Sequence, residues 1–167
     1  MPLDTSLKFV PINIAILTIS DTRTTDTDTS GALLEKRIIS AGHNCIEKKI
    51  IPDDEKTINK TLKDFINYED LDLIITTGGT GVSARDVTPE ATKSLLEKEI
   101  PGVSELIRSE FYKDIKTSVL YRGLCGIANN KLILNLPGSP QGVQDGLSVS
   151  VPLFDHIFNL ISGNTKH

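Results

Sequence analysis

Apolar residues along the chain alternate between short continuous runs and segments with helical spacing. Residues 12–19 and 71–75 are mostly apolar and rich in β-branched side chains, as is typical of buried strands, and residues 44–51 are interpreted as a further strand. A segment with apolar residues every three or four positions follows each run, and the third of these predicts a helix from Thr88 to about residue 99. Three successive strand-to-helix units predict an α/β fold, a three-layer sandwich with a mostly parallel sheet between helices.

The C-terminal half has a different pattern. Apolar segments 123–127 and 132–136 flank Asn129-Asn130, which tolerate left-handed backbone conformations, so a hairpin with one antiparallel strand is expected. A last helix is expected from Val143, and Pro152 inside it predicts a kink.

Length and composition limit the possible architectures. The chain has 167 residues, of which 38% are hydrophobic and 24% charged, and it has no internal repeat or linker. These values predict a single domain, residues 1–167, with residues 1–11 as an extension before the first strand.

Charge, cysteines and histidines exclude several functions. The formal net charge is −4 and no basic stripe is present, so no nucleic-acid partner is expected. Cys45 and Cys125 are widely spaced in apolar surroundings and are expected to be reduced core residues, while His43, His156 and His167 lack the spacing of a zinc site. No signal peptide or membrane-spanning run is seen, so a cytoplasmic protein without a membrane partner is expected.

A glycine-rich segment, Thr76-Thr77-Gly78-Gly79-Thr80-Gly81, follows the third predicted strand. Thr88-Pro89 behind it predicts a helix start with Thr88 as the N-cap. In open α/β sheets such a junction of a strand's carboxyl end with a helix's amino end binds ligands, because backbone N–H groups and the helix dipole converge there on an anion. The loop is therefore expected to bind phosphate.

Other polar residues follow the remaining strands and are expected at the same edge. Ser20-Asp21, Asp53-Asp54, Asp86 and the segment Pro137-Gly138-Ser139 all occupy such positions. One of Asp53 and Asp54 is expected to cap the next helix, which leaves the other free. Two aspartates beside a glycine loop suit Mg²⁺ bridging to substrate phosphates.

The loop matches neither common nucleotide motif. No Lys-Ser/Thr pair follows Gly81, which excludes a P-loop, and the glycine spacing is not that of the dinucleotide fingerprint. From the residues alone, an enzyme acting on a phosphate ligand and a small-molecule sensor both remain open.

A resemblance to a known family narrows the choice. The glycine segment and its continuation through Arg85-Asp86-Val87-Thr88-Pro89-Glu90 resemble the signature of the MogA/MoaB family, the molybdopterin adenylyltransferases of molybdenum-cofactor biosynthesis. Further segments resemble the family in the same order: 17–21, 28–31, 51–54, 101–105 and 134–140. Length and the N-terminal extension are more similar to the MoaB branch. One departure is Tyr121-Arg122, where family members usually carry Ser-Arg.

The resemblance implies an activity, a cofactor and an assembly. It implies that Mg-ATP adenylylates molybdopterin with release of pyrophosphate, in a homo-oligomer that is a trimer in MogA and commonly a hexamer in MoaB. Asp53 and Asp86 match the family's two functional aspartates and are expected to be catalytic and to hold Mg²⁺. The other expected substrate- and nucleotide-binding residues are Ser20, Asp21, Thr77, Gly78, Gly79, Thr80, Gly81, Arg85, Pro137, Gly138 and Ser139.

Several of these residues also have a structural interpretation. Ser20-Asp21 and Ser139 suit local turns, and Arg85 suits solvation. Within the family that the chain resembles, some MoaB proteins are inactive and have lost the aspartate that corresponds to Asp53, which this chain keeps. A non-catalytic molybdopterin-binding or scaffold protein is therefore the main alternative to an enzyme. A nucleotide-metabolising hydrolase is a weaker one, because such chains add a second domain.

Overall fold

The computed structural model describes residues 8–163, which form one α/β unit around a six-stranded sheet. The predicted domain boundaries, residues 1 and 167, lie outside the described residues, so the single domain stays a prediction. His167 also lies outside them. The strands are β1 Asn13–Ile19, β2 Asn44–Ile51, β3 Leu73–Thr77, β4 Lys98–Glu99, β5 Cys125–Ala128 and β6 Lys131–Leu136. The helices are α1 Thr29–Ser40, α2 Glu55–Ile66, α3 Thr88–Lys93, α4 Pro101–Glu110, α5 Pro140–Ser150 and α6 Phe154–Ile161, with 3₁₀ turns at Lys116–Leu120 and Val151–Leu153.

The strand order across the sheet is β2-β1-β3-β6-β5-β4. Strands β2, β1, β3 and β6 pair in parallel, whereas β5 runs antiparallel to β6 and β4 runs antiparallel to β5. The three-layer, mostly parallel fold is confirmed. The carboxyl ends of β1, β2, β3 and β6 therefore lie at one edge of the sheet.

The predicted hairpin is confirmed in detail. Asn129 and Asn130 have φ angles of 47° and 59° and join β5 to β6. This left-handed backbone is the one that asparagine tolerates better than most residues.

The helix predicted from Thr88 to about residue 99 is too long. α3 ends at Lys93, and the chain then turns to form β4. The N–H groups of Glu97 and Ile100 donate to the carbonyls of Ile127 and Cys125, at 2.8 and 2.7 Å. Pairing with the sheet edge thus satisfies backbone groups that a longer helix would otherwise have paired internally.

The single C-terminal helix with a kink is also a wrong prediction. α5 begins at Pro140, ends at Ser150, and is separated from α6 by the 3₁₀ turn that contains Pro152. Proline has no N–H and its ring crowds the carbonyl four residues earlier, so the helix breaks rather than bends.

Helix α1 begins at Thr29 because Asp28 caps it by accepting from the N–H of Gly31 at 2.9 Å.

The core occupies both faces of the sheet. Alternate residues of β1 point to opposite sides: Ile14 and Ile16 pack with α1, α4, α5 and α6, and Ala15 and Leu17 pack with α2 and α3. Cys125 is buried in this core and its burial raises the pKa of the thiol to about 12, while Cys45 is only half-buried. Both cysteines are free thiols. Among residues 8–163, no helix combines the length and hydrophobicity needed to span a membrane.

Asn135 is a fully buried polar residue that joins the two halves of the sheet. Its amide nitrogen donates to the hydroxyls of Thr76 on β3 and Thr92 on α3, at 3.0 and 3.2 Å. Its side-chain oxygen accepts from the N–H of Leu124 at 3.1 Å. Every polar atom of this side chain therefore has a partner, as burial requires.

Asn135→Ala should destabilise the protein, because it leaves buried donors and acceptors unpaired and opens a cavity. We expect the free energy of unfolding to fall by about 3 kcal/mol, measured by urea denaturation. Asn67→Ala, at an exposed position after α2, is the control and should change it by less than about 0.5 kcal/mol. Equal effects of the two substitutions would show that the buried network contributes nothing.

Candidate functional site

A cleft with a volume of about 370 Å³ opens at the carboxyl edge of the parallel strands. It lies between the glycine segment after β3 and the turns that follow β1, β2 and β6. The residues that line it are Thr18, Ile19, Ser20, Arg23, Asp53, Thr77, Gly78, Gly79, Asp86, Gly138 and Ser139. Asp21, Thr80, Gly81, Arg85 and Pro137, which were also predicted in the site, are not among the lining residues.

The glycine segment depends on close backbone contact. Gly78 and Gly79 have φ angles of 104° and 64°, which side-chain-bearing residues rarely adopt. A Cβ on Gly78 would overlap the carbonyl oxygen of Ile19, and one on Gly138 would lie 3.2 Å from the Cα of Gly78. The ends of β1, β3 and β6 therefore approach one another with no space for side chains.

Three successive N–H groups of this loop have no acceptor within residues 8–163. In the described part of the chain, no group accepts a hydrogen bond from the N–H of Gly79, Thr80 or Gly81. Successive unpaired N–H groups in a turn are a common binding site for anions. The loop is thus suited to phosphate, which the sequence predicts as its ligand.

Thr88 is not the N-cap of α3, contrary to prediction. Val87 occupies that position, and Thr88 lies inside the first turn. The hydroxyl of Thr88 donates to the carbonyl of Gly78 at 2.9 Å, and its N–H donates to the carbonyl of Gly79 at 3.0 Å. The reason is that the loop has its own unsatisfied carbonyls, which the threonine pairs.

Asp53 and Asp54 divide their roles as the sequence predicts. Asp54 caps α2, accepting from the N–H of Thr57 at 2.8 Å. Asp53 faces the cleft instead and exchanges hydrogen bonds with Asp21: each backbone N–H donates to the other carboxylate, at 3.1 and 3.0 Å. These bonds join the turns after β1 and β2.

The environment of Asp53 opposes its ionisation. Partial burial raises the pKa of its carboxyl group, and the negative charges of Asp21 and Asp86 add to the rise, while the hydrogen bond from the Asp21 N–H and the charge of Arg85 oppose it. A carboxylate in such surroundings gains from a bound cation.

Asp86 closes a tight turn at the far end of the glycine segment. Its Oδ2 accepts from the N–H of Ser83 at 2.8 Å, and its own N–H donates to the carbonyl of Ser83 at 3.0 Å. A Cβ on Gly81 would lie 2.9 Å from the same Oδ2. The carboxylate is thus ordered against the loop, and its Oδ1 has no hydrogen-bond partner in the described part of the chain.

The carboxylates could contribute to a magnesium site, but not complete one. Oδ1 of Asp53, like that of Asp86, accepts no hydrogen bond within residues 8–163, and would lie 3.2 Å from a Cβ on Gly79. No group of three or more His, Cys, Asp or Glu side chains in these residues is arranged to hold a metal. Two carboxylates fit Mg²⁺, which usually keeps several waters and takes other ligands from substrate phosphates.

Arg85 and Asp21 form an ion pair beside the cleft. The Arg85 side chain is 71% exposed, so the pair contributes little to stability. Arg85 is therefore neither simply solvated nor fixed by burial.

Arg23 is a cleft residue that the sequence analysis missed. One guanidinium nitrogen lies 3.3 Å from a carboxylate oxygen of the buried Asp28, and the other donates to the carbonyl of Gly138 at 3.0 Å. Arg23 thus places a fixed positive charge in an otherwise acidic cleft. Its signal was present, because Arg23 is the single basic residue of the polar loop after β1.

Other predicted residues have structural contacts. The hydroxyl of Ser20 accepts from the N–H groups of Thr22 and Arg23, at 3.3 and 3.2 Å, and that of Ser139 caps α5. The hydroxyl of Thr77 donates to the carbonyl of Pro137 at 2.7 Å. These residues shape the cleft walls, whichever further role they have.

The departure at Tyr121 lies behind the cleft wall. The ring is buried, its hydroxyl donates to the carbonyl of Asn135, and a Cβ on Gly123 would overlap it. Tyr121 is absent from the residues that line the cleft.

Comparison with known proteins identifies the family. Residues 15–156 match the family described as "Probable molybdopterin binding domain". The chain belongs to this family, in its MogA/MoaB group. The MogA/MoaB resemblance seen in the sequence is thereby confirmed.

Three similar proteins illustrate the relationship. The chain is 45% identical over 158 residues to the Drosophila melanogaster molybdenum cofactor synthesis protein cinnamon, covering 93% of this chain but only 26% of that protein. It is 36% identical to a Helicobacter pylori molybdopterin adenylyltransferase, covering 92% of this chain and 89% of the relative. A crystal structure of molybdenum cofactor biosynthesis protein B superposes with a TM-score of 0.89 at 36% identity, covering 92% of this chain and 98% of that one.

Gly79→Ala should destabilise this MogA/MoaB protein, because the positive φ is strained for alanine and the new Cβ would overlap the hydroxyl of Thr88. We expect a loss of about 2 kcal/mol in the free energy of unfolding, measured by urea denaturation. Gly102→Ala is the matched control, since a Cβ there meets nothing within 4 Å, and it should be neutral or slightly stabilising. A neutral Gly79→Ala would contradict the tight loop.

Asp53→Asn should stabilise the protein at pH 7. A carboxyl group whose folded pKa is raised destabilises the fold once it is ionised, so stability falls as pH rises through that pKa. The substitution removes this loss. Solvent screens this partly exposed carboxyl group, so the gain should stay under about 1 kcal/mol, and it should disappear below about pH 3.5.

Asp54→Asn is the matched control on the neighbouring residue. Hydrogen bonds from the Thr57 hydroxyl and N–H lower the pKa of Asp54, so its ionised form stabilises the fold at neutral pH and that stabilisation is lost on acidification. Urea denaturation at pH 7 should therefore show changes of opposite sign in the free energy of unfolding of the two variants. The same measurement below about pH 3.5 should show the gain of Asp53→Asn disappear and the loss of Asp54→Asn decrease. Destabilisation by Asp53→Asn would mean that its ionised carboxylate is favoured.

Proposed function

We propose that this protein is a molybdopterin adenylyltransferase, which uses Mg-ATP to adenylylate molybdopterin and releases pyrophosphate. Its family and the names of its relatives support a role in molybdenum cofactor biosynthesis. The observation that carries the proposal is the arrangement of Asp53 and Asp86 beside a glycine loop with free N–H groups. This arrangement places ligands for a cation next to a site for an anion, and a nucleoside triphosphate with bound Mg²⁺ requires both.

The reaction needs charge neutralisation more than proton transfer. The terminal phosphate of molybdopterin is already anionic near neutral pH, and its oxygen attacks the α-phosphorus of ATP. A new phosphoanhydride bond forms to the α-phosphorus. The bond between the α-phosphorus and the oxygen that bridges to the β-phosphate breaks, and pyrophosphate carries away its electron pair. No general base is required, so positioning and electrostatic stabilisation supply most of the catalysis.

The chain's own groups would act on the phosphates from two sides. The N–H group of Gly79, which lines the cleft, would stabilise negative charge that develops around the α-phosphorus. Arg23 would contribute a permanent positive charge from the opposite wall, where Asp28 and the carbonyl of Gly138 hold it.

Asp53 and Asp86 would hold Mg²⁺ through their free carboxylate oxygens. The metal would screen the charges of the phosphate chain, which also lowers the mutual repulsion of the aspartates. The raised pKa of Asp53 is consistent with this role, because a carboxylate that burial and neighbouring negative charges disfavour is stabilised by a bound cation.

We also propose a homo-oligomer, a trimer or a hexamer. Leu106, Tyr112, Ile115 and Val119 on α4 and the segment after it expose 44%, 46%, 37% and 51% of their surface. Apolar side chains grouped on one segment suit a protein interface.

The adenylyl transfer is tested by incubating the protein with molybdopterin, ATP and MgCl₂. We expect adenylyl-molybdopterin and pyrophosphate, detected by chromatography, and a fall in rate of at least about a hundredfold in Asp53→Asn and in Asp86→Asn. Asp64→Asn, on the exposed face of α2, should retain full activity.

The alternative is a non-catalytic molybdopterin-binding or scaffold protein. Tight pterin binding by the folded wild type with no product from ATP would contradict the enzyme and favour this alternative. Unchanged turnover in both cleft variants would instead contradict the assigned site.

A further inference from the structure

Arg122 lies outside the cleft but contacts both ends of the loop that carries Asp86. We propose that Arg122 is a positioning residue. It fixes residues 80–86, which run from the end of the glycine segment to Asp86, in the orientation that binds Mg-nucleotide. The inference about loop structure stands by itself, whereas its effect on nucleotide binding depends on the proposed function.

Arg122 donates hydrogen bonds to three carbonyls of the loop. Its backbone N–H donates to the carbonyl of Thr80 at 2.8 Å, and its Nε donates to the carbonyl of Gly81 at 2.7 Å. Its Nη2 donates to the carbonyl of Asp86 at 2.8 Å. A single residue thus joins the start of the loop to its end.

Glu90 fixes the guanidinium from the other side. Both of its carboxylate oxygens accept from the terminal nitrogens of Arg122, one of them at 3.4 Å. The hydrogen bond to Arg122 lowers the pKa of Glu90, and the same bond raises the pKa of Arg122. Glu90 lies in the first turn of α3, so the loop is joined to both the following helix and the segment before β5.

These contacts pair the carbonyl oxygens of the glycine segment. Carbonyl oxygens repel phosphate, and Arg122 together with Thr88 pairs those of Gly78, Gly79, Thr80 and Gly81. The N–H groups of Gly79, Thr80 and Gly81 are then left without an acceptor among residues 8–163. Holding the carbonyl of Asp86 likewise orients the residue whose carboxylate is proposed to bind the metal.

Arginine is specifically suited to this position. Its planar fork directs donors toward two carbonyls and a carboxylate at the same time, which the single ammonium group of lysine cannot do. Arg122→Lys keeps the positive charge and the backbone bond to Thr80, so it tests the fork alone. Arg37→Lys, on the exposed side of α1, is the matched control.

The first experiment measures loop order without a ligand. Amide hydrogen exchange followed by NMR should show faster exchange at Ser83 and Asp86, by about tenfold, in Arg122→Lys, with unchanged exchange in β3. Arg37→Lys should match the wild type. Unchanged exchange at both loop amides overturns the proposal, whether or not the protein is an enzyme.

The second experiment measures Mg-ATP affinity by calorimetry in a double-mutant cycle. Arg122→Lys should weaken binding by about tenfold in the wild type and much less in the Asp86→Asn background, because a positioning residue acts through the group it orients. Equal weakening in both backgrounds overturns the positioning role. A wild type that binds no Mg-ATP overturns the proposed function, and the exchange measurement then decides whether Arg122 orders the loop.

Discussion

The close approach of three strand ends is the constraint on which the site depends. Gly78 follows β3 and packs its backbone against Ile19 at the end of β1 and against Gly138 after β6, where a side chain would collide. The positive φ angles of Gly78 and Gly79 then turn the chain toward α3. Because backbones rather than side chains meet here, N–H groups and strand-end carboxylates are brought into one small cleft.

Charge balance explains why this cleft needs partners beyond its carboxylates. Asp21 and Asp53 are held together by reciprocal hydrogen bonds, and the charge of Asp86 acts on Asp53 as well. Arg23 and the free N–H groups of the loop offer positive charge on the other walls. The proposed magnesium–phosphate ligand would complement both sets of charges.

The candidate site was predictable where a residue's role follows from its position on a strand end. The rule that an N-cap needs a single acceptor predicted that one of Asp53 and Asp54 would cap α2, and the family resemblance indicated Asp53 as the other; the structure assigns the cap to Asp54. Arg23 and Arg122 were not selected, because an arginine's role depends on where its long side chain reaches: Gly138 is 115 residues from Arg23, and Gly81 is 41 residues from Arg122. Thr88 was assigned to a cap because local patterns do not show that the neighbouring loop has carbonyls to satisfy.

The α/β class, the hairpin at Asn129-Asn130 and the location of the glycine loop are predictable from the sequence, because they depend on local periodicity and backbone preference. The tertiary structure decided where α3 ends, since the backbone of Glu97 and Ile100 pairs with β5 instead of extending a helix. It also decided which charged groups meet in the cleft and which brace its walls. Such choices depend on contacts between residues far apart in the chain, whose energies no local pattern contains.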